Sequence, residues 1–375
     1  MERKLKIAII GAGSTYTPEL MEGIIKRRDA LPLAELALMD IDERKLDIVG
    51  GLCERMFAAA GMGGRVVRTG DLDEALRGAD FVLCQIRVGK LPARVQDERI
   101  PLKYGMIGQE TCGIGGFFKA MRTIPVMLNI AERMRALCPD AWLINFTNPA
   151  GIVTEALLKH GGVNMLGLCN VPFNMFKSIR QSLSLPEAQF TYVGLNHLSW
   201  ITAIEHDGRD YLRAALDMGL NSETMKNIPS SGFGKELIQA IGAIPSAYLE
   251  YYYFRNKKLR ILQDSELTRG EKCLQIEEEL LSIYADAELH VKPELLSTRG
   301  GANYSEVAIS LVDAIWNDKR EVHVVNLLNK GALDFMEADD AIEVGAVIGS
   351  NGAKPVRVES FDNRHIIDYM RRMKA

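Results

Sequence analysis

Short apolar runs alternate with stretches of helical periodicity through the first half of the chain. The first run, Leu5 to Ile10, ends at the glycine turn Gly11-Ala12-Gly13-Ser14. Such near-continuous runs are typical of parallel strands that are covered on both faces. Their alternation with helices predicts an α/β fold with a Rossmann-type, doubly wound parallel sheet. Further strands are expected at 35–39, 65–68, 81–86, 141–145 and 165–168.

The segment after the first strand has the features of a helix start that can hold a phosphate group. Thr17 is predicted to be the N-cap, with Pro18 at the first helical position and Glu19 near the positive helix end. Strand, glycine turn and capped helix together form the context that a dinucleotide requires. Because Tyr16 occupies the place of the usual third glycine, a simple tight turn is the alternative.

Asp40 strengthens the prediction of a dinucleotide site. It ends the second apolar run, where a carboxylate can accept hydrogen bonds from the adenosine ribose and so favours NAD over its phosphorylated form. We therefore predict NAD as a cofactor, and the residues expected to bind it are Gly11, Gly13, Ser14, Thr15 and Asp40.

Polar side chains follow the later strands of the predicted sheet. Arg94 is expected in a basic loop after the fourth strand, where it could bind an anion, and 108–116 is a polar, glycine-rich segment. Asn145 and Asn148 end another strand, and Pro149 favours an extended backbone that would point both amides into the crevice. The alternatives are a solvated loop, a flexible connector and a plain Asn-Pro turn.

Cys169 and His197 each follow an apolar run in the middle of the chain. A thiolate and an imidazole that converge can bind a divalent transition metal, with positions left open for substrate oxygens. Each residue alone is weak evidence, because a lone cysteine or histidine more often belongs to the core.

Composition narrows the class of protein. A net charge of −4 with dispersed basic residues gives no footprint for nucleic acid, and no apolar segment is long enough to cross a membrane. The six cysteines are scattered without a Cys-x-x-Cys pair, which favours a reducing compartment and a cytoplasmic location.

The length of 375 residues favours two interlocked domains, predicted as 1–168 for NAD and 169–375, an α+β unit, for metal and substrate. In the second, Gly270 to Ala285 is expected to be an amphipathic helix and 330–358 a strand region.

Several strings of this sequence, in this order, resemble glycoside hydrolase family 4, the NAD- and manganese-dependent glycosidases, and most of all its 6-phospho-β-glucosidase branch. The resemblance runs from Lys6 to about Asn363, and the strings that carry it are 11–20, 108–116, 145–149, 169–172, 196–199 and 299–305. It implies a fold like that of lactate and malate dehydrogenases.

The resemblance also implies a role for individual residues. Cys169 and His197 match the metal ligands, and Tyr248 matches the catalytic base, with Tyr251 and Tyr252 as close competitors. Asn170 stands where the α-glycosidase branch has an aspartate, which favours β-linked substrates. The residues expected to contact a phosphorylated disaccharide or β-glucoside are Arg94, Asn148, Asn170 and Arg299.

The implied reaction begins with oxidation of sugar C3 by NAD, which acidifies the C2 hydrogen. Loss of that proton, elimination of the aglycone, addition of water and reduction of C3 complete it, with Mn²⁺ or another divalent metal polarising the carbonyl. The alternatives are a 6-phospho-α-glycosidase, a glycosidase of unphosphorylated substrates, a malate- or lactate-type dehydrogenase, and a non-catalytic NAD-binding protein. We expect a homo-oligomer, dimer or tetramer.

One departure from the family concerns the end of the chain. Members usually continue through further helices, whereas this sequence stops in a basic, helical stretch near Ala375 without a glycine or proline stop signal. A naturally short protein and a truncated one are both compatible with this ending.

Overall fold

A computed structural model describes residues 4–220, 232–299 and 303–375. The strands are β1 Leu5–Ile10, β2 Leu33–Met39, β3 Arg65–Thr69, β4 Phe81–Cys84, β5 Trp142–Asn145, β6 Asn164–Gly167, β7 Gln189–Leu195, β8 Leu198–His206, β9 Arg209–Asp210, β10 Ile244–Pro245, β11 Glu321–Leu328, β12 Ala341–Gly349 and β13 Gly352–Pro355. The helices are α1 Thr17–Lys26, α2 Glu43–Ala59, α3 Leu72–Leu76, α4 Lys90–Leu102, α5 Gly113–Leu137, α6 Ala150–His160, α7 Val171–Leu183, α8 Leu212–Asp217, α9 Lys235–Ile241, α10 Glu250–Tyr253, α11 Arg255–Asp264, α12 Arg269–Tyr284, α13 Tyr304–Trp316 and α14 Arg364–Lys374.

The first six strands form a parallel sheet in the order β3-β2-β1-β4-β5-β6. Their side chains are almost entirely buried at the centre, where β4 is apolar throughout. The order reverses direction between β1 and β4, and ligands of doubly wound sheets bind at such a switch point, beyond the carboxyl ends of the strands. The predicted Rossmann-type sheet is confirmed.

The same sheet continues into the second half of the chain with antiparallel strands. β11 joins β6 through one residue pair, Asn326 with Gly167, and the order then runs β12, β7, β8 and β10. β12 and β13 fall in the region 330–358 that was expected to contain strands.

Helices from the second half pack against the dinucleotide half and interlock the two. Gly23 of α1 lies against α13, so close that a Cβ there would come within 2.9 Å of the Ser305 side chain. The Tyr284 hydroxyl at the end of α12 donates to the Thr15 carbonyl (2.8 Å). These contacts bring residues more than 250 positions apart to the edge of the β1–α1 turn.

The N-terminal ends of α1 and α12 can be compared with the sequence predictions. The prediction that Thr17 is the N-cap of α1 is wrong: Tyr16 holds that position, and the Thr17 hydroxyl instead donates to the Ala12 carbonyl at 2.8 Å. The predicted helix at 270–285 is confirmed, and Thr268 begins it with a capping box that includes Glu271.

Within the described ranges, no helix combines the length and the apolar composition that crossing a bilayer requires.

Candidate active site

A cavity of about 960 Å³ lies at the carboxyl ends of the parallel strands. It extends from the β1–α1 turn, past the ends of β2 and β4, to the start of α13. Of the predicted site residues, its wall contains Gly11, Gly13, Ser14, Asp40, Asn148 and Arg299.

The β1–α1 turn is shaped by close backbone approach. Gly11 has a φ of +89° and would place a Cβ 3.1 Å from the Gln85 backbone. A Cβ at Gly13 would meet the Asp40 carboxylate at 2.9 Å, and the Gly13 amide donates to that carboxylate at 2.8 Å. The backbone conformation therefore favours glycine at position 11, and a side chain at position 13 would displace Asp40, which is held at the rim where a ribose would lie.

Arg299 forms the opposite wall of the same end of the cavity. Its guanidinium donates to the Thr15 hydroxyl, lies 4.9 Å from the Tyr16 ring centroid and is 3.4 Å from Glu277. Thr15 is fully buried and faces Arg299, so its contact with a cofactor stays a prediction.

Cys169 and His197 converge, as the sequence predicted for a pair of metal ligands. Cys169 follows β6 and His197 lies in the tight β7–β8 turn with a φ of +64°, and this brings Sγ and Nε2 to 3.4 Å. With metal–ligand bonds of about 2.0–2.3 Å, one ion could bind both atoms. Within residues 4–220, 232–299 and 303–375, no group of three or more His, Cys, Asp or Glu side chains has metal-binding geometry.

Burial sets the protonation of both groups. It lowers the pKa of His197 to about 3, so the imidazole is neutral at physiological pH. Burial, with the Glu343 charge, raises the pKa of the Cys169 thiol to about 12. A metal that binds here must therefore displace the thiol proton, which is the usual coupling of metal binding to proton release.

The Tyr248 ring stacks on the imidazole of His197. The two ring centroids are 3.6 Å apart and the planes are within 4° of parallel. Burial, followed by the nearby Cys169, raises the pKa of Tyr248 well above 10. The phenol can therefore act as a base near neutral pH only when a cation compensates these effects.

The prediction that Arg94 lies in a loop is wrong: it lies on α4, buried in a network of charges, and is not among the residues that line the cavity. Its guanidinium binds Glu98 and Glu110, each at 2.8 Å. Glu110 also pairs with Arg87 and with Lys119, and both of these cations line the cavity. Burial opposes ionisation of Glu110, but the three cations hold its pKa well below the usual range. Burial, together with the charge of Arg87, lowers the pKa of Lys119 to about 7.

The two asparagines at the end of β5 and in the loop after it, Asn145 and Asn148, lie in different environments. The prediction that both face the crevice is wrong for Asn145, which is fully buried and bonds Thr154 and the Thr147 amide. Asn148 lines the cavity. Asn170 is buried at the start of α7, directly after Cys169.

Several residues of the site were not singled out by sequence reasoning. The Thr111 hydroxyl lies 2.8 Å from His197 Nδ1, within the segment 108–116 that was noted only as a whole. Glu343 is buried and accepts hydrogen bonds from Asn196 (2.9 Å) and Asn326 (3.0 Å). It is a single acidic residue in the otherwise apolar strand β12, and no motif in the sequence linked it to the site. Glu110 lies in the segment 108–116, and the basic residues before and within α4 gave a second hint of the charge cluster around it.

Comparison with known proteins assigns the chain to a protein family. The model described as "Family 4 glycosyl hydrolase" matches residues 6–185, and that described as "Family 4 glycosyl hydrolase C-terminal domain" matches 192–375. The chain is 44% identical over 369 residues to a probable 6-phospho-beta-glucosidase of Bacillus subtilis, covering 96% of this chain and 84% of that protein. It is 43% identical over 379 residues to the 6-phospho-beta-glucosidase of Escherichia coli, covering 97% and 84%.

Solved structures agree. The 6-phospho-beta glucosidase of Thermotoga maritima, solved with manganese, NAD⁺ and glucose-6-phosphate, superposes with a TM-score of 0.90 at 31% identity, covering 99% of this chain and 87% of that one. Lactate dehydrogenase of Eimeria maxima shares the fold alone, with a TM-score of 0.61 at 15% identity, covering 100% and 94%. With family models matching nearly its whole length, the chain belongs to family 4 of the glycosyl hydrolases.

Proposed function

We propose that this chain hydrolyses 6-phospho-β-glucosides with NAD and a divalent metal, Mn²⁺ or a similar ion. The observation that carries the proposal is the buried Cys169–His197 pair, 3.4 Å apart and covered by Tyr248. The pair is linked to the dinucleotide-sized cavity through Tyr304, which lines the cavity and contacts Cys169. When bound, NAD supplies reversible oxidation at sugar C3, and the metal supplies polarisation of the oxygens at C2 and C3.

Cys169 and His197 would hold the metal. Their donor set, a thiolate and a neutral imidazole, suits a transition metal, and having only two protein ligands leaves positions for two substrate oxygens. Asn148, in the cavity wall, and Asn170, next to the thiol, would bind sugar hydroxyls beside it. The amide of Asn170, in place of a carboxylic acid, supports a β-linked rather than an α-linked substrate.

Tyr248 would accept the C2 proton. The ring lies against the imidazole of a metal ligand, so a bound cation would act on the phenol at short range and lower its pKa. Burial keeps water away from the resulting phenolate. The aglycone then leaves C1 with the electron pair of the C1–O bond, and water adds at C1 as a proton returns to C2.

The cofactor would lie along the β1–α1 turn. Gly11, Gly13, Ser14 and Thr15 form the turn, and Asp40 would accept the ribose hydroxyls. Arg299 would support this end through its contacts with Thr15 and Tyr16.

The substrate phosphate would be recognised by the cations around Glu110. Arg87 and Lys119 line the cavity and are placed for direct contact, while Arg94 belongs to the same cluster through Glu110. Charge-assisted hydrogen bonds from such a cluster are the strong contacts that phosphate recognition uses.

The remaining expectations concern the whole molecule. We retain the division at residues 168 and 169, a cytoplasmic location supported by six free thiols, and assembly into a homo-oligomer. Oligomerisation is supported by apolar side chains that stay about half exposed one turn apart on α5, Phe117 and Met121.

A panel of chromogenic glycosides tests the proposal. We expect aglycone release from the 6-phospho-β-glucoside only when NAD and Mn²⁺ are both present, without net accumulation of NADH. Preference for the α-anomer or for unphosphorylated glycosides would assign the chain to another branch of the family. Stoichiometric NADH formation would contradict the redox cycle.

A further inference from the structure

A chain of hydrogen bonds leads from the backbone of the 108–112 loop to the ring of His197. Gln109 Oε1 lies 2.6 Å from the Thr111 amide nitrogen, 2.8 Å from the Cys112 amide nitrogen and 2.9 Å from the Thr111 hydroxyl. The same hydroxyl lies 2.8 Å from His197 Nδ1. Gln109 and His197 thus share one hydroxyl group.

The backbone fixes which atom of the Gln109 amide faces this loop. Backbone N–H groups only donate, so the side-chain atom that two of them contact must be the oxygen. The side-chain amide nitrogen is thereby directed away from Thr111. An oxygen at this position can accept hydrogen bonds but cannot donate one.

The position of the Thr111 hydroxyl proton follows from the contact with Gln109. Two oxygen atoms 2.9 Å apart repel each other unless a proton lies between them, and Gln109 Oε1 has none to give. The Thr111 hydroxyl therefore donates to Gln109. Its lone pairs are left to face His197 Nδ1, and one of them accepts a hydrogen bond from the N–H of that nitrogen.

This arrangement selects one tautomer of the neutral imidazole. With the proton on Nδ1, the lone pair of Nε2 points toward Cys169 Sγ, 3.4 Å away. A metal can bind a histidine nitrogen only through such a lone pair. The opposite tautomer would place a proton in the position of the ion.

Glycines allow the loop around Gln109 to pack closely against neighbouring backbone. A Cβ at Gly108 would come within 1.9 Å of the Glu98 carbonyl, one at Gly115 within 2.6 Å of the Gln109 carbonyl, and one at Gly116 within 2.5 Å of Thr111 backbone atoms. The loop and the start of α5 therefore pack at distances that no side chain allows. The glycines of 108–116 serve this packing.

We propose that Gln109 and Thr111 are positioning residues that hold His197 in the Nδ1–H tautomer before any metal arrives. The link of this tautomer to catalysis rests on the proposed function, but the tautomer itself is a property of the metal-free protein. Neither residue touches the substrate in this assignment. Both act through the imidazole, as the outer partners of metal-binding histidines generally do.

The first experiment reads the tautomer directly. Long-range ¹H–¹⁵N correlation spectra of chelator-treated protein with ¹⁵N-labelled histidine distinguish a protonated from an unprotonated ring nitrogen, and a His197→Asn sample assigns the signal. We expect protonated Nδ1 and unprotonated Nε2 in the wild type and in Thr111→Ser. In Thr111→Val, which lacks the hydroxyl, the Nε2–H form should become populated. A protonated Nε2 in the wild type would overturn the proposal.

The second experiment measures Mn²⁺ affinity by electron paramagnetic resonance of the free ion, without any turnover. Loss of an outer partner typically weakens metal binding about 10–100-fold, and we expect this for Thr111→Val, with recovery in Thr111→Ser. Thr123→Val is the control for removing a threonine hydroxyl, because Thr123 lies fully buried in α5 and donates to its own helix, to Lys119 O, rather than to His197. Equal Mn²⁺ affinities of wild type and Thr111→Val would overturn the proposal.

The two proposals fail in different ways. If the wild type binds neither Mn²⁺ nor Co²⁺, Ni²⁺ or Zn²⁺ although His197 has a protonated Nδ1, the tautomer assignment stands and the proposed function falls. If Mn²⁺ binds tightly while Nε2 carries the proton, the proposed function stands and the positioning role falls.

Discussion

The two ends of the active-site region are built in different ways. At the dinucleotide end, one turn after β1 and one carboxylate after β2 shape the wall, and close contacts of Gly11 and Gly13 set its geometry. At the metal end, the thiol, the imidazole and the phenol come from three separate segments of the second half and converge in a buried cluster. The first end is shaped by backbone and the second by side chains.

This difference has an energetic side. Substituting one polar side chain at the dinucleotide end leaves the turn and most of its N–H groups in place, so losses should be graded. At the metal end each buried group depends on its neighbour for charge and orientation, so losses should be abrupt and non-additive.

Among the substitutions at the metal end, Tyr248→Phe should lower kcat the most. A small loss would contradict the expectation that losses at this end are abrupt. Loss of a general base typically lowers kcat about 10²–10⁴-fold, and exchange of the C2 proton with solvent should disappear. Deuterium incorporation at C2 measures this, and circular dichroism checks the fold. Tyr251→Phe, in the same buried segment, is the control and should retain exchange. Normal exchange in Tyr248→Phe would remove that residue from the base role.

The Glu110 cluster should respond differently at its cavity side and at its buried side. Arg87→Ala should raise KM for the 6-phosphorylated substrate about 10–100-fold, since hydrogen bonds to charged groups contribute about 1.5–3 kcal/mol. Unphosphorylated glycosides should be little affected, and steady-state kinetics with both substrates measures the ratio.

Arg94→Ala removes one partner of a buried ion pair, which typically costs about 3–5 kcal/mol of stability. Thermal unfolding should therefore separate the two variants, with Arg94→Ala much the less stable. If Arg94→Ala raises KM only for the phosphorylated substrate, and leaves stability intact, direct phosphate binding by Arg94 is the better assignment.

Asp40→Asn should weaken NAD binding about tenfold, a graded loss expected of the backbone-shaped end. The two carboxylate oxygens accept from the backbone N–H groups of Gly13 and Asp42, and the single amide oxygen can replace only one of them. The substitution also removes the charge that favours ribose hydroxyls. Fluorescence titration measures NAD and its 2′-phosphorylated form side by side, and discrimination between them should narrow. Complete loss of NAD binding would show that this end is no more tolerant than the other.

Glu343→Gln should have the smallest effect on cofactor binding, and its effect on stability should change with pH. Burial raises the pKa of Glu343 to about 6, although Asn196, Asn326 and Tyr192 oppose the shift. In the unfolded chain the pKa is near 4.3, so ionisation costs the folded state stability as pH rises from about 4 to above 6, by about 2 kcal/mol in full. The metal-free Gln variant should gain in melting temperature relative to wild type at pH 8 but not at pH 4. Equal differences at both pH values would contradict the shifted pKa.

Much of the dinucleotide half could be predicted because its signals are local. Most of the strands β1 to β6 are short apolar runs, with the edge strand β3 and its two arginines as the exception, and the glycine turn and Asp40 follow such runs directly. The error at Thr17 came from a local rule as well: its hydroxyl finds the Ala12 carbonyl, a partner that capping preferences do not consider.

The metal end could be predicted only in part. Cys169 follows the parallel strand β6, whereas His197 lies in the turn between the antiparallel strands β7 and β8, so both positions could be singled out but strand order did not predict their convergence. Tyr248 was found only through family resemblance. Thr111 and Glu343 act through hydrogen bonds across 86 and 147 residues of chain, to His197 and to Asn196. Local periodicity carries no information about such partners.

The junction between the parallel and the antiparallel strands of the sheet is linked by hydrogen bonds to the environment of the Cys169 thiol. Asn326, which pairs with Gly167 where β11 meets β6, also donates to Glu343, the carboxylate whose charge reaches the Cys169 thiol. A Cβ at Gly167 would collide with Thr154 Oγ1 at 2.1 Å, so this seam leaves no room for adjustment. A change that shifted one half of the sheet against the other would therefore also alter the electrostatic setting of the thiol.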